Sequence, residues 1–563
     1  MTDPRDCAVV VGAGHNGLVA ACYLARTGLD VTVVERDTVV GGAVSTVERF
    51  PGYRMDRGSS AHIMIRHTGI VEDLRLADCG LEYQDLDPWG FAPFGPADDQ
   101  QGIHFFVDLD RTCDSIEAVC GTRDADAYRA FVLDWSARNL RVFEAFQGPP
   151  TPRHLGRTLW GIGKGTGLSG LELSRQFLTS ADALLDEHFD DERLKTALGW
   201  MGAQSGPPGH EVATADLVGW NTVMHLRPPG HPRGGSGMLS EALARRLESY
   251  GGRVLLGDAA ERVLVRGGRA AGVRTAGGAE HLAATVVAGC HVLTALDLLG
   301  DDAPGDLTAR AHRSIRTGNG IGMVVRLGTN ALPHYPSGTG EEHRAMQLLA
   351  PSRQALRRAH GQWSAGLPPT EPAALAMTFS AFDDTIAPPG RHNVTVWGQW
   401  HPYALSNGER WDDIAEREGT KLVEAVDRVA PGFAASVEHM HVQTPLDLER
   451  ELGLRNGQVM HVEMSFDQMF LWRPMPELAQ HRVPQVPGLY LCGASTHPGG
   501  GVFGASGRSA ARVALADRAP SLLSRAPELL SRAPALLSRA PALLSRAPAL
   551  LSRAARARGG SGG

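Results

Sequence analysis

Three glycines within six residues, set between an apolar strand and a helical stretch, restrict what the start of this chain can fold into. Val9-Val10-Val11 runs straight into Gly12-Ala13-Gly14-His15-Asn16-Gly17. An Ala/Leu-rich segment follows from Leu18 to Arg26, and a second apolar run, Val31 to Val34, ends at Glu35 with Arg36 beside it. That order is the dinucleotide-binding βαβ unit. Gly12 permits the tight turn, Gly14 lets the backbone approach a pyrophosphate, and Gly17 lets helix and strand pack closely. The helix N-terminus offers unpaired N–H groups and the positive end of its dipole to the phosphates. Glu35 can accept hydrogen bonds from both hydroxyls of an adenosine ribose and would repel a 2′-phosphate, which disfavours NADP. FAD and NAD both remain open on this segment.

Composition limits the rest. The chain has 563 residues, 43% hydrophobic and 21% charged, ordinary globular values but too long for one core. With a net charge of −7, no nucleic-acid partner is expected. No long apolar run predicts a membrane span, and Met1-Thr2-Asp3-Pro4 does not open a signal peptide. The seven cysteines are scattered without a CxxC pair, which reads as free thiols in a reducing cytosol. No metal site is expected. The only GxSxG match, Gly559-Gly560-Ser561-Gly562-Gly563, lacks the strand and helix of a nucleophile elbow, so no acyl-transfer triad is assigned.

Three separated segments read as one nucleotide-binding domain: 1–60, 230–300 and 485–517. In the middle one, Gly234-Gly235-Ser236-Gly237 opens a helical pattern. Gly267-Gly268 then turns a ribbon that contains Arg262 and Val263, and Thr285–Ala288 reads as a buried strand. The inserts 61–229 and 301–484 read as a substrate domain. The first is mostly helical (Asp126–Ala145, Ser180–Leu198). The second has short strands near Met323–Leu327, Ala374–Phe379 and Val394–Trp400. A cofactor domain interrupted in this way predicts a pocket at the junction. Residues 518–563 repeat Arg-Ala-Pro-x-Leu-Leu-Ser, with eight Arg against one Glu. The prolines oppose a continuous helix, so this tail reads either as disordered low-complexity sequence or as a basic segment touching lipid or a partner.

Near the C-terminus, Leu489-Tyr490-Leu491-Cys492 leads into Gly493-Ala494-Ser495-Thr496-His497-Pro498-Gly499-Gly500-Gly501-Val502-Phe503 and then a helix. Bare backbone there can press against something flat, and the following helix N-terminus can stabilise negative charge on a reduced flavin. Together with Val40-Gly41-Gly42-Ala43, Pro51-Gly52-Tyr53, Asp56-Arg57-Gly58-Ser59, Thr444–Arg450, Asp467-Gln468 and Arg473-Pro474, this sequence resembles the phytoene desaturase-like flavoproteins of the amine oxidase superfamily. It is closer to the branch not devoted to carotenoids. The likeness spans about residues 7–516 and is strongest at both ends. Many relatives carry an Arg after the glycine pair where Ala43 stands here, so one phosphate contact is expected to be missing.

The resemblance implies an α/β fold: a Rossmann-like FAD-binding domain with an inserted α+β substrate domain. It implies non-covalent FAD held by Gly12–Gly17, Glu35, Arg36, Gly41–Ala43, Gly58, Ser59, Ser60, Arg262, Val263, Gly493, Ala494 and Gly500–Val502. The implied reaction removes hydride from a C–H bond of a hydrophobic or secondary-metabolite substrate, with electrons passing to oxygen or a quinone. His62 and His401 are the candidate proton-handling residues. Trp400 and Tyr403 are candidate pocket walls, and Arg473 a candidate partner for an acidic substrate group. Arg153–Lys164 reads as a surface loop or a membrane-facing lid. The expected location is cytoplasmic, with peripheral membrane contact as an option. A flavin amine oxidase and an FAD-bearing interaction protein with little turnover are the alternatives.

Overall fold

A computed structural model of the chain describes residues 3–93, 102–166 and 170–519. The chain divides into a unit Met1–Val513 and a second unit Ala514–Gly563. The Arg-Ala-Pro-x-Leu-Leu-Ser repeats beyond Ala519 lie outside the described residues.

The central layer of the first unit is a five-stranded parallel sheet. Its strands come from three distant parts of the chain, in the order Leu489–Leu491, Thr285–Ala288, β1 (Cys7–Val11), β2 (Asp30–Val34) and Arg253–Leu255. Ala8–Val11 and Val31–Val34 are all buried, as expected of parallel strands covered on both faces. The crossover between β1 and β2 is α1 (His15–Ala25), every residue of which is buried from Asn16 onward. Gly267 and Gly268, both at positive φ (58° and 73°), close the ribbon between Ala260–Arg266 and Arg269–Thr275.

The inserts build a seven-stranded sheet in the order 437–443, 322–329, 392–399, 374–377, 346–349, 90–92 and 103–105. Its pairs are antiparallel except for 346–349 with 90–92. Residues alternate faces along a strand. Met323, Val325 and Leu327 therefore share a core with Leu422 and Val426 of the amphipathic helix Trp411–Asp427. Val324 and Arg326 point to the other face. There the sheet meets the helices of the first insert through Leu348, Leu375, Trp200 and Met201.

Two helical expectations change. Ser180–Leu198 is two helices, Ala181–His188 and Glu192–Ala203, because Asp191 caps a new start by accepting from the Arg193 N–H. Arg153–Lys164 is part of a helix, Pro152–Thr166, despite its glycines. Pro152 is pre-shaped for a first turn, and buried Ile162 gives the helix an inward face. Trp160 on the same helix is 75% exposed. Among the described residues no helix is long and apolar enough to cross a membrane, and no cluster of three metal-ligating side chains is present.

Candidate functional site

The glycine-rich turn after β1 is built almost entirely from main chain. Gly12 sits at φ +94° and donates its N–H to the Val34 carbonyl (2.8 Å). A Cβ on Gly17 would lie 2.2 Å from the Gly12 oxygen, and a Cβ on Gly14 would meet nothing closer than 4.0 Å. The first contact forces glycine for packing, and the second leaves open space over the turn. Glu35 is buried at the tip of β2 and accepts from the Ala13 N–H (2.6 Å) and the Asp37 N–H (2.9 Å). Its remaining lone pairs are free for ribose hydroxyls. Gly14 has no side-chain cap, so the first N–H groups of α1 stay unsatisfied by side chains.

Two further loops close on this turn. Gly41 donates to the Ala13 carbonyl and Ser59 to the Ala43 carbonyl (2.9 and 2.8 Å). A Cβ on Gly58 would strike Ala43 at 2.5 Å. From the far end of the chain, a Cβ on Gly500 would meet Met460 at 2.5 Å, and one on Gly507 would lie 2.0 Å from the Asn16 oxygen. The helix after the second glycine loop thus touches α1 main chain to main chain, which brings the two ends of the unit together.

Between these loops and the inserted sheet lies a cavity of about 330 Å³. His15, Ala43, Gly58, Ser60, Ala494 and Gly501 line one side. Met201, Trp220, Met224, Leu375, Met377 and Trp397 line the other. Among the described residues the lining contains no carboxylate, and its one permanently charged side chain is Arg326.

Comparison with known proteins agrees with this geometry. Residues 10–74 match the NAD(P)-binding Rossmann-like domain family. The chain is 30% identical over 551 residues to pyridine nucleotide-disulfide oxidoreductase domain-containing protein 2 of Rattus norvegicus, covering 91% of this chain and 94% of the relative. It is 28% identical to phytoene dehydrogenase of Streptomyces griseus, covering 89% and 92%. The fold also matches cyclohexylamine oxidase from Brevibacterium oxydans, with a TM-score of 0.55, 15% identity, and coverage of 91% and 98%. The chain belongs to the family of pyridine nucleotide-disulfide oxidoreductase domain-containing protein 2, and phytoene desaturases are among its homologues. As the family fold predicts, the Rossmann-like sheet and the inserted α+β region share one cavity.

Several residues singled out from the sequence do not reach that cavity. His62 is fully buried, with Nδ1 on the Tyr83 hydroxyl (2.7 Å) and Nε2 on the Ser236 hydroxyl (2.8 Å). Main-chain pairing with Gly230 turns its ring away from its cavity-lining neighbours Ala61 and Ile63, and burial holds its pKa well below the usual histidine value. His401 lies behind the sheet, with its ring on Trp411 and Nδ1 on the Gly398 carbonyl. Trp400 packs on Trp200 and donates to the Gly206 carbonyl. The Tyr403 hydroxyl donates to Glu449. Arg473 meets neither a carboxylate nor the cavity. Its guanidinium spans the carbonyls of Met460, Val462, Glu463, Gln468 and Ala494 at 2.8–3.2 Å. It ties the segment 460–468 to the second glycine loop, and burial pulls its pKa down to about 9. Arg36 donates to the Glu451 carbonyl and Arg262 pairs with Asp302. Val263 is packed in the core of the parallel sheet.

His15, Ser59 and Ser60, named from the sequence, reach the cavity; Arg326 and His461 are cavity groups that were missed. Arg326 stands mid-strand in Gly322-Met-Val-Val-Arg326-Leu, where a charge in an apolar run was the available signal. His461 lines the cavity from a left-handed position, φ +63°, with Nδ1 buried and unpartnered. Burial holds His15 at a pKa of about 4 and His461 at about 3, so both are neutral at pH 7.

Proposed function

We propose that this chain is an FAD-dependent dehydrogenase that removes hydride from a C–H bond of a hydrophobic substrate held in the cavity and passes the electrons to oxygen or a quinone. The observation that carries this reading is the shared lining: loops with the geometry of a dinucleotide site form one side of a chamber whose other side is mostly methionine, leucine and tryptophan, with Gln204, Asn221 and Thr395 among them. The residues fit FAD. The uncapped start of α1 and the bare Gly12–Gly17 turn suit a pyrophosphate, Glu35 suits the ribose, and Gly42 and Gly501, where an added Cβ would meet nothing closer than 3.6 Å, leave room for a flat ring. Bound FAD supplies the hydride acceptor.

The chain's own part is to position and to exclude. The apolar wall strips water from the reacting bond and orients a substrate that offers few polar handles. His15 and His461 face the chamber uncharged, and burial makes each a weak base there. An ammonium substrate would meet no carboxylate and one guanidinium, which weighs against amine oxidation.

The purified protein should be yellow and release FAD on denaturation. Its visible flavin band should bleach anaerobically with a substrate that can form a C=C bond. Colourless protein whose melting temperature does not rise with added FAD would sink the proposal. For Glu35→Gln we expect FAD affinity to fall roughly 10- to 100-fold, the worth of charged hydrogen bonds to the ribose, with the fold intact by circular dichroism. Unchanged affinity in a titration would remove Glu35 from the cofactor site.

A further inference from the structure

Among the described residues Arg326 is the one permanently charged group in a chamber lined mostly by apolar side chains. It is 1% exposed, and among the described residues no carboxylate pairs with it. Nη1 donates to the Thr395 hydroxyl (2.9 Å) and the Ser60 hydroxyl (3.2 Å), and Nη2 to the Gly58 carbonyl (3.3 Å). Nε has no partner. A guanidinium carries five N–H groups, so these contacts leave N–H capacity unused. The nearest acids are engaged elsewhere: Asp56 accepts from Thr46 and Ser236, and Glu451 pairs with Arg49 at 2.7 Å. Burial lowers the Arg326 pKa to about 10, which still leaves it charged at pH 7.

Unlike Arg473, whose two terminal nitrogens are covered by five carbonyls, Arg326 has three neutral contacts for its five N–H groups, so a ligand's counter-charge would stabilise it. Arg326 stands on the same strand face as Val324. Its neighbours on the cavity wall are Met346, Met377, Thr395 and Trp397, all from the inserted sheet. The phosphates have a separate provision at the start of α1. We infer that Arg326 binds a carboxylate carried by the substrate, so that the enzyme acts on an apolar molecule with an acidic end. This deepens the dehydrogenase proposal and rests on it. The planar fork matches a carboxylate at two points, and the apolar wall takes the hydrocarbon body.

The test uses the full chain loaded with FAD. Oleate and retinoate are compared with their methyl esters and with oleylamine, following the visible flavin spectrum and the melting temperature. We expect each acid to bind roughly 10- to 100-fold more tightly than its ester, the range for charged hydrogen bonds, and oleylamine to bind least. Arg326→Met should abolish the acid preference while keeping ester binding, and Arg326→Lys should restore part of it. Equal binding of acid and ester by the wild type, or no binding of any probe, overturns the inference without touching the cofactor reading. So does an acid preference that survives in Arg326→Met. If Arg326→Met and Arg326→Lys both lose FAD in an apoprotein titration, the counter-charge is the cofactor's and the substrate assignment fails. Wild-type protein without a flavin band marks failure of the underlying reading instead.

Discussion

Moving this protein from pH 7 to about pH 5 should cost it several kcal/mol of stability. His401, His481 and His497 are fully buried. Each turns one ring nitrogen to a main-chain carbonyl, those of Gly398, Leu491 and Ala145 respectively. A carbonyl only accepts, so that nitrogen carries the proton. The opposite nitrogens have no partner, and protonating them would bury a charge with an unpaired N–H. Burial therefore drives the pKa to about 3 for His401 and His497 and about 4 for His481. In the unfolded chain each returns to about 6.5. The folded value is the lower one, so the unfolded state binds more protons below about pH 6.5. The stabilisation is whole above that pH and is lost progressively as pH falls toward the folded values. Each ring contributes at most about 1.4 kcal/mol per pH unit, and the three together about 4, against a total stability on the order of 5–15 kcal/mol. We expect the melting temperature to drop by roughly 10 °C or more between pH 7 and 5, and His481→Asn to flatten the slope. A profile level across that range would contradict the buried neutral rings.

The second large effect is at Gly17. Its would-be Cβ lies 2.2 Å from the Gly12 oxygen and 3.4 Å from Val10 Cγ1, and the would-be Cβ of Gly289 lies 3.2 Å from the Gly17 Cα. Three stretches of main chain meet there, from the first turn, α1 and the end of strand Thr285–Ala288, and none can swing aside as a side chain would. Gly17→Val should separate α1 from β1, lower the melting temperature by roughly 5–10 °C through overpacking, and remove bound flavin from the purified protein. Gly361 is the control. It lies in helix Arg353–Ser364 with nothing within 4 Å, so Gly361→Ala should stabilise by about 1 kcal/mol and leave flavin content unchanged. A Gly17→Val protein that stays yellow and melts like the wild type would refute the close packing.

The contrast between these residues and the histidines shows what could be read early. The glycine turn, α1 and Glu35 act within a short contiguous stretch. Their chemistry follows from spacing, and the structure places them as the spacing implies. The second glycine loop was legible for the same reason, being a strand, a bare loop and a helix in immediate succession. His62, His401, Trp400, Tyr403 and Arg473 were chosen by residue type and neighbourhood. Their side chains go where distant partners pull them: Tyr83 and Ser236 for His62, Glu449 for Tyr403, and five carbonyls for Arg473. Arg326 escaped notice because its meaning lies across the sheet. Only pairing of strand 322–329 with 392–399 sets it beside Thr395, and only docking of that sheet on the loop 58–60 supplies its remaining contacts.

Read alone, the chain determined the Rossmann-like βαβ pattern at its start and the strand, glycine loop and helix near its end, because those rest on local turns and periodicity; that it is an oxidoreductase came from family likeness. Which side chains face the chamber, that its wall is mostly apolar with Arg326 as the one permanent cation among the described residues, and that His62 and His401 are sealed in the core were decided by tertiary packing. The direction of a side chain is set by elements hundreds of residues away, and no local pattern records it.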